Sequence, residues 1–262
     1  TGIMPARNVP ILLYHSIADQ TTPLSSRYAV PPTRFQEQMA HLRNAGYTAL
    51  TVTQFVQAGT DLPEKPVVLT FDDGYRDFCT TALPILQQHS LAATMYLITA
   101  GIGTTNHWLV KAGDARPIMS WDEVLAIRDS GVEIGAHTHT HPHLDTQPRA
   151  AVREEITTSK RLLEDCLGQP VLSFAYPYGH YLGWTKRMVQ DAGFTSAVAV
   201  NMEISSTAED RFALSRFIVS PDLSLDEFDA LLHHRNKPLE ILSHRIRAKI
   251  WWMMRRLRFI QD

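Results

Sequence analysis

Cysteine is scarce: Cys79 and Cys166 are the only two in 262 residues. That number is far too small for a disulfide scaffold. Both lie in helix-like stretches, where a thiol is expected as a small hydrophobe, not a nucleophile. They leave the redox compartment open. No run of about 18 uninterrupted apolar residues occurs, so no ordinary transmembrane helix is expected. No charged segment followed by an apolar core marks a signal peptide near the Thr-Gly-Ile-Met start. A cytoplasmic or peripheral-membrane location is therefore the expectation, with the cell envelope open if a leader has been removed. Repeats and low-complexity tracts are missing too. Hydrophobic residues make up 44% of the chain, enough for a large core. The length suits one α/β domain, or such a domain with an appended segment.

Charge of one sign is lacking overall, since the formal net charge is −2. The balance hides an asymmetry. From Arg235 to Asp262 there are eight Lys/Arg against two Asp/Glu, a local net of +6 that leaves −8 on the rest. An acidic body argues against a nucleic-acid groove. The expected division is an α/β domain over 1–234 and a basic segment over 235–262.

Short β-like runs alternate with helix-like runs, the pattern of a parallel α/β fold. Strands are expected at Val9–Tyr14, Tyr47–Thr51, Pro66–Phe71, Ala92–Ile98, Val132–Ala136, Val171–Ala175, Thr195–Val200 and Phe212–Val219. Capping boxes at Thr33–Gln36, Ser120–Glu123 and Ser224–Glu227 each predict a helix start. Further helices are expected at Thr53–Ala58, at Tyr75–His89 with a bend at Pro84, and at Arg149–Leu167 before Gly168. Residues 99–119 read as a long loop. Three strands end in polar clusters: Asp72-Asp73-Gly74, His137-Thr-His-Thr-His141 and Tyr176-Pro-Tyr-Gly179. The carboxyl ends of strands in parallel α/β barrels converge on one catalytic face, so the three clusters could share a site.

Two adjacent carboxylates past a strand point in different directions. One can bind a metal while the other reaches a water on it, and Gly74 permits a tight turn. A turn with a helix N-cap explains the same dipeptide more simply. His137 and His141 stand at i and i+4, a spacing that lets two imidazoles meet one cation on a helical turn or in a tight loop. Two neutral imidazoles with a carboxylate suit Zn²⁺ and leave a position open for water, with Co²⁺ or Ni²⁺ as alternatives. A surface His-rich tract with incidental metal affinity is the competing account. His139 and His143 are expected on the pocket wall or in solvent.

Taken together, Thr70-Phe-Asp-Asp-Gly74, His137-Thr-x-x-His141-Pro-x-Leu144 about 65 residues on, and Tyr176-Pro-Tyr-Gly179 resemble the polysaccharide deacetylases, carbohydrate esterase family 4. The resemblance runs from about Val9 to Leu232. Leu12-Leu-Tyr-His15 and Ile118-Met-Ser-Trp-Asp122 look like the branch of poly-N-acetylglucosamine deacetylases. It implies a distorted (β/α) barrel with fewer than eight repeats. It also implies a hydrolase that removes acetyl groups from N-acetylated glycans: poly-N-acetylglucosamine, chitooligosaccharide or a lipid-linked saccharide. The resemblance makes Asp73, His137 and His141 the metal ligands and Asp72 the general base. A metal-bound water attacks the acetamide, and the backbone N–H of Tyr178 helps hold the oxyanion. His15, Trp121 and Pro177 are candidate pocket residues.

Two departures stand out. The family often carries Arg two residues before the Pro of the third motif, where it orients the base; here that residue is Ala175. Arg216 is a candidate substitute, and a surface or structural salt bridge is its alternative role. The late Leu-x-His motif that supplies the acid has no secure match, and His233 and His234 follow a capped helix, so the acid is unassigned.

From Leu239 apolar residues recur at steps of three and four, with Trp251, Trp252 and six interleaved basic residues. The predicted helix, about Pro238 to Ile260, fits a barrel-packed terminus, an interfacial membrane helix or a self-association contact over 238–260. Two other functions compete with glycan deacetylation. One is a deformylase or other amidohydrolase on a non-glycan amide. The other is a catalytically silent carbohydrate-binding module, which would have no need of Asp72.

Overall fold

The computed structural model describes residues 6–19, 27–106 and 115–233. The expected basic helix lies outside the described residues, as does His234.

The chain starts with strands β1 (Asn8–Val9), β2 (Ile11–Tyr14), β3 (Ser16–Ile17) and β4 (Ala29–Val30). Helix α1 spans Pro32–Asn44. The expected capping box at Thr33 does not form: Pro31 is the N-cap, it makes no side-chain cap bond, and Pro32 opens the first turn. A proline loses nothing there, because first-turn N–H groups have no helical partner. Phe35, Met39 and Leu42 form the buried face, as their spacing predicts. Next come β5 (Thr48–Leu50) and α2 (Val52–Ala58), which begins at a capping box between Thr51 and Gln54.

Strand β6 (Pro66–Phe71) is buried along its whole length, as a strand covered on both faces must be. The helix expected over Tyr75–His89 has two parts. A wide π-type stretch at Phe78–Ala82 precedes α3 (Leu83–Gln88). Ala82 and Leu83 are both helical, so the run is continuous and Pro84 lies inside it; the wide turn just before Pro84 is the distortion that its missing N–H imposes, at the position where the bend is expected.

Strand β7 (Thr94–Leu97), α4 (Trp121–Asp129), β8 (Glu133–Ala136), α5 (Arg149–Leu167), β9 (Ser173–Ala175), α6 (Gly183–Asp191) and β10 (Ser196–Val198) follow. The described part ends with β11 (Ser205–Ser206), β12 (Phe217–Ile218) and α7 (Leu225–Leu232). The capping boxes at Ser120 and Ser224 form as read, and Gly168 closes α5 in the left-handed conformation.

The main sheet runs in the order β10-β9-β8-β7-β6-β2-β12, with β5 also on β6, and every pairing in it is parallel. Its two ends approach through one segment. Leu214 bridges to Val198 of β10, and Phe217 pairs with Leu12 of β2. Residues 214–217 thus form a seam that curls the sheet into a distorted barrel with fewer than eight repeats. Arg216 lies in this seam.

The opposite, amino-terminal end of the barrel is tied by Glu133, the first residue of β8. Its carboxylate accepts bonds from Thr53 N (3.1 Å), Thr94 Oγ1 (2.8 Å) and Ser173 Oγ (3.0 Å), and from the Thr53 hydroxyl. Thr94 and Ser173 are themselves the first residues of β7 and β9. One carboxylate therefore joins three strands and the first turn of α2. Glu133→Ala would leave these donors facing a void. We expect it to lower the unfolding free energy by about 3 kcal/mol in urea titration, with Glu133→Gln losing less.

Candidate active site

The carboxyl ends of β2, β6, β8 and β9 bring the polar clusters together. His15, Asp72, Asp73, His137, His141, Tyr178 and His180 line one cavity of about 340 Å³. Leu13, Tyr28, Tyr75, Val200 and Ile218 contribute its apolar wall.

Asp72 extends the ladder past β6, with its N–H donated to the carbonyl of Tyr14 at 3.0 Å. The backbone then reverses: Asp73 has φ 76° and Gly74 has φ 84°. A Cβ on Gly74 would lie 2.7 Å from Cδ2 of Leu97, so this turn needs glycine for space as well as for φ. Adjacent carboxylates consequently face different neighbours. Asp72 accepts a bidentate pair from Arg216, Nη1 to Oδ1 at 2.7 Å and Nη2 to Oδ2 at 2.8 Å. Asp73 Oδ1 is buried and has no hydrogen-bond donor.

The same oxygen lies 3.6 Å from Nε2 of His137 and 3.7 Å from Nε2 of His141. His137 comes directly off β8 and donates Nδ1–H to the carbonyl of Ala175 at 2.8 Å. That bond fixes the tautomer and leaves Nε2 as a lone pair aimed at Asp73. His141 does not share a helical turn with His137, because a loop with φ 65° at Thr138 and φ 64° at His141 joins them. Asp73, Thr138, His141 and Tyr178 are four of the six non-glycine residues with positive φ among those described. Such conformations cost of order 1–3 kcal/mol each and persist where the surroundings enforce them.

Buried at this depth, the two carboxylates diverge. Burial raises the pKa of Asp72, but the charge of Arg216, then of His137, and the Arg216 hydrogen bonds outweigh it and hold Asp72 below the ordinary carboxylate range. Asp73 is pushed well above that range, first by burial and then by the charge of Asp72. His137 is lowered by burial, and His15 is pushed down to about 4, mainly by burial.

The cluster fits a divalent cation. Asp73, His137 and His141 present ligand atoms all within 4.8 Å of one another. Ligand atoms bonded to one zinc at tetrahedral angles lie roughly 3.3–3.6 Å apart, close to the spacings here. A lone-pair nitrogen cannot satisfy a carboxylate oxygen, whereas a cation would satisfy both and would hold Asp73 ionised.

A profile described as polysaccharide deacetylase matches residues 59–197. The chain belongs to the polysaccharide deacetylase family. Membership makes it a hydrolase of the kind that acts on N-acetylated polysaccharide. The Bacillus subtilis family member YxkH is 28% identical over 231 residues, covering 87% of this chain and 77% of that protein. The poly-β-1,6-N-acetyl-D-glucosamine N-deacetylase of Escherichia coli K12 is 33% identical over 143 residues, or 51% of this chain. That match spans only 21% of the longer E. coli protein. Among solved structures, the Streptococcus pyogenes deacetylase PplD, in complex with acetate, superposes with a TM-score of 0.76 at 26% identity. The superposition covers 87% of this chain and 99% of that one.

Within this family site the expected residues divide. Asp72, Asp73, His137, His141, Tyr178 and His15 all reach the cavity. Arg216 is fully buried beneath it and contacts Asp72, so its surface-salt-bridge alternative falls. Two pocket expectations are corrected. Trp121 opens α4 and packs partly buried against the core, away from the cavity lining. Pro177 is buried in the turn that presents Tyr178 and does not line the cavity itself. His233 caps α7 beside Asp229, also away from the lining residues. Sequence reasoning missed Tyr28 and the carbonyl of Ala175. Nothing in side-chain chemistry signals a backbone acceptor.

The Asp72–Arg216 pair is testable by stability. Arg216→Met would strand a buried carboxylate and cost about 3–5 kcal/mol of unfolding free energy. Adding Asp72→Asn should return part of that loss, so the double-mutant cycle measured by denaturant unfolding should show strong coupling.

Proposed function

We propose that this protein is a metal-dependent N-deacetylase of neutral N-acetylhexosamine polymers, with poly-N-acetylglucosamine or a chitooligosaccharide as substrate. The observation that carries the reading is the division between two neighbouring carboxylates. Both oxygens of Asp72 are held by Arg216, whereas Asp73 keeps a buried oxygen without a donor beside Nε2 of His137 and of His141. Asp73, His137 and His141 would hold the ion, most simply Zn²⁺, with Co²⁺ or Ni²⁺ as substitutes. When bound, it would supply Lewis-acid polarisation and a more acidic water.

Asp72, kept ionised by Arg216, takes the proton of the attacking water. The backbone at Tyr178 offers its N–H to the oxygen on which charge develops. His15 lines the cavity without joining the cation cluster, and burial keeps it neutral, so the proton that Asp72 takes from the water is the one available to the leaving amine. The amide nitrogen is a poor leaving group until protonated, so the reaction needs such a donor.

Two features favour a neutral glycan over another amide. Tyr28 and Tyr178 are the exposed large hydrophobic residues among those described, and both line this cavity. Aromatic faces of this kind suit the apolar faces of sugar rings. Among the described residues the lining carries no Lys or Arg, the side chains that would select a phosphate or carboxylate on the substrate.

The test is acetate release from N-acetylated oligosaccharides with added Zn²⁺, Co²⁺ or Ni²⁺. Asp72→Asn should retain the metal and lose roughly 10²–10⁴-fold in turnover. Asp73→Asn should lose the metal itself. Formate release, or hydrolysis confined to non-glycan amides, would overturn the glycan reading. Equal metal loss in both variants would overturn the division of roles.

The sequence from about Pro238 to Ile260 carries a separate proposal, attachment of the 1–234 catalytic domain to an anionic membrane surface. Each basic residue near such a surface contributes about 1 kcal/mol. Truncation after Lys237 should preserve acetate release from a soluble substrate and reduce binding to anionic vesicles. A truncated protein that fails to fold, or full-length protein that ignores vesicles, would refute it; a change in oligomer size alone would point to self-association.

A further inference from the structure

The loop from His137 to His141 carries both imidazoles, and its shape is held from three sides. From within, the Thr138 hydroxyl donates to the carbonyl of His137 at 2.5 Å and accepts the N–H of His141 at 3.1 Å. From the loop after β7, the N–H groups of Thr99 and Ala100 reach the carbonyls of Thr138 at 3.3 Å and His139 at 2.9 Å. The third tether is a charged side chain on a different element. Glu155, in the second turn of α5, takes the N–H of His139 at 2.8 Å and the N–H of Thr140 at 2.7 Å on Oε2. Its Oε1 takes the Thr140 hydroxyl at 2.5 Å.

We propose that Glu155 is a positioning residue that sets the spacing of the His137–His141 pair and so the affinity of the site for a divalent cation. The inference rests on the cation-site reading above and extends it to a residue outside every motif.

The physical argument begins with the backbone. A chain that turns left-handed at Thr138 and again at His141 places the two intervening N–H groups on its outer side. Without a fixed acceptor they would turn to water, and the two costly φ values would relax. His137 cannot follow such a relaxation, because β8 and the carbonyl of Ala175 hold it. His141 can, since it directly follows Thr140. The carboxylate is suited to the task because charge-assisted bonds to N–H groups are roughly twice as strong as neutral ones. It is also firmly based. The neighbours Val152 and Ile156 are buried on the core face of α5, so the helix cannot shift without disturbing the core.

Glu155 touches neither the cation cluster nor the cavity lining, so its effect passes entirely through the loop. Outer-shell partners of this kind typically change metal affinity by roughly 10–100-fold.

The experiment measures Zn²⁺ dissociation constants by chelator competition on metal-stripped protein, together with the Co²⁺ visible spectrum. The proteins are wild type, Glu155→Ala, Glu155→Gln and the exposed neighbour Glu154→Ala. Glu155→Ala should weaken Zn²⁺ by roughly 10–100-fold and alter the Co²⁺ bands. Glu155→Gln, which retains one oxygen acceptor, should fall between, and Glu154→Ala should match wild type. Thermal melting of the stripped proteins provides the folding control; if Glu155→Ala does not fold, the Gln variant alone decides. Wild-type affinity and spectrum in a folded Glu155 variant would overturn the proposal. Wild-type protein that binds no divalent ion would instead overturn the cation-site reading. Tight, Glu155-dependent binding without acetate release would leave this inference standing and remove the proposed reaction.

Discussion

The buried pairing of Arg216 with Asp72 is the constraint on which the rest of the site depends. It ties the seam between β10 and β2 to the carboxyl end of β6, across the mouth of the barrel. The guanidinium also donates from Nη1 to the Thr70 hydroxyl at 3.2 Å and from Nε to the carbonyl of Ala199 at 3.2 Å, and it lies over the Tyr96 ring. Every one of these partners is on a different stretch of the sheet from Arg216. A fully desolvated cation is tolerable only because it is satisfied in this way. Asp72 is thereby kept charged and immobile, and its neighbour is left as the carboxylate with an oxygen to spare.

That arrangement divides labour between the two ends of the barrel. At the amino-terminal end, Glu133 is surrounded by donors and is satisfied by the protein alone. At the carboxyl end, Asp73 is more deeply enclosed and is not. A fold tolerates such an unsatisfied group when something outside the chain completes it. Strain follows the same division, with left-handed residues gathered around Asp73, Thr138, His141 and Tyr178. Both ends of the barrel thus hold the fold together, while the strained backbone gathers at the carboxyl end with the polar clusters.

Much of this was legible in the sequence. Pro66–Phe71 reads as an apolar run because β6 is covered on both faces. Gly168 marks the stop of α5 by ordinary helix rules. The three polar clusters were legible because each directly follows a strand. The bend at Pro84 was legible because a proline inside a helical run removes an N–H, whereas the cap at Thr33 misread because Pro32 opens that helix in its place. The partnership of Arg216 and Asp72 spans 144 positions, so spacing did not give it; it was legible only through the resemblance, which left the arginine's usual place empty at Ala175 and made Arg216 a candidate substitute. Glu155 was illegible because its partners are backbone N–H groups, which every residue has.

Arg216 also bears on how related chains are sorted. The guanidinium that the third motif often supplies from the residue at Ala175 is delivered here by a strand about forty positions later in the chain. Ala175 in turn offers its carbonyl to His137, a service that any residue can perform. A filter that demands arginine at that column would discard this chain as inactive, although the same cation reaches the same carboxylate. Sorting by what touches Asp72, and not by which column holds an arginine, would group chains that string comparison divides.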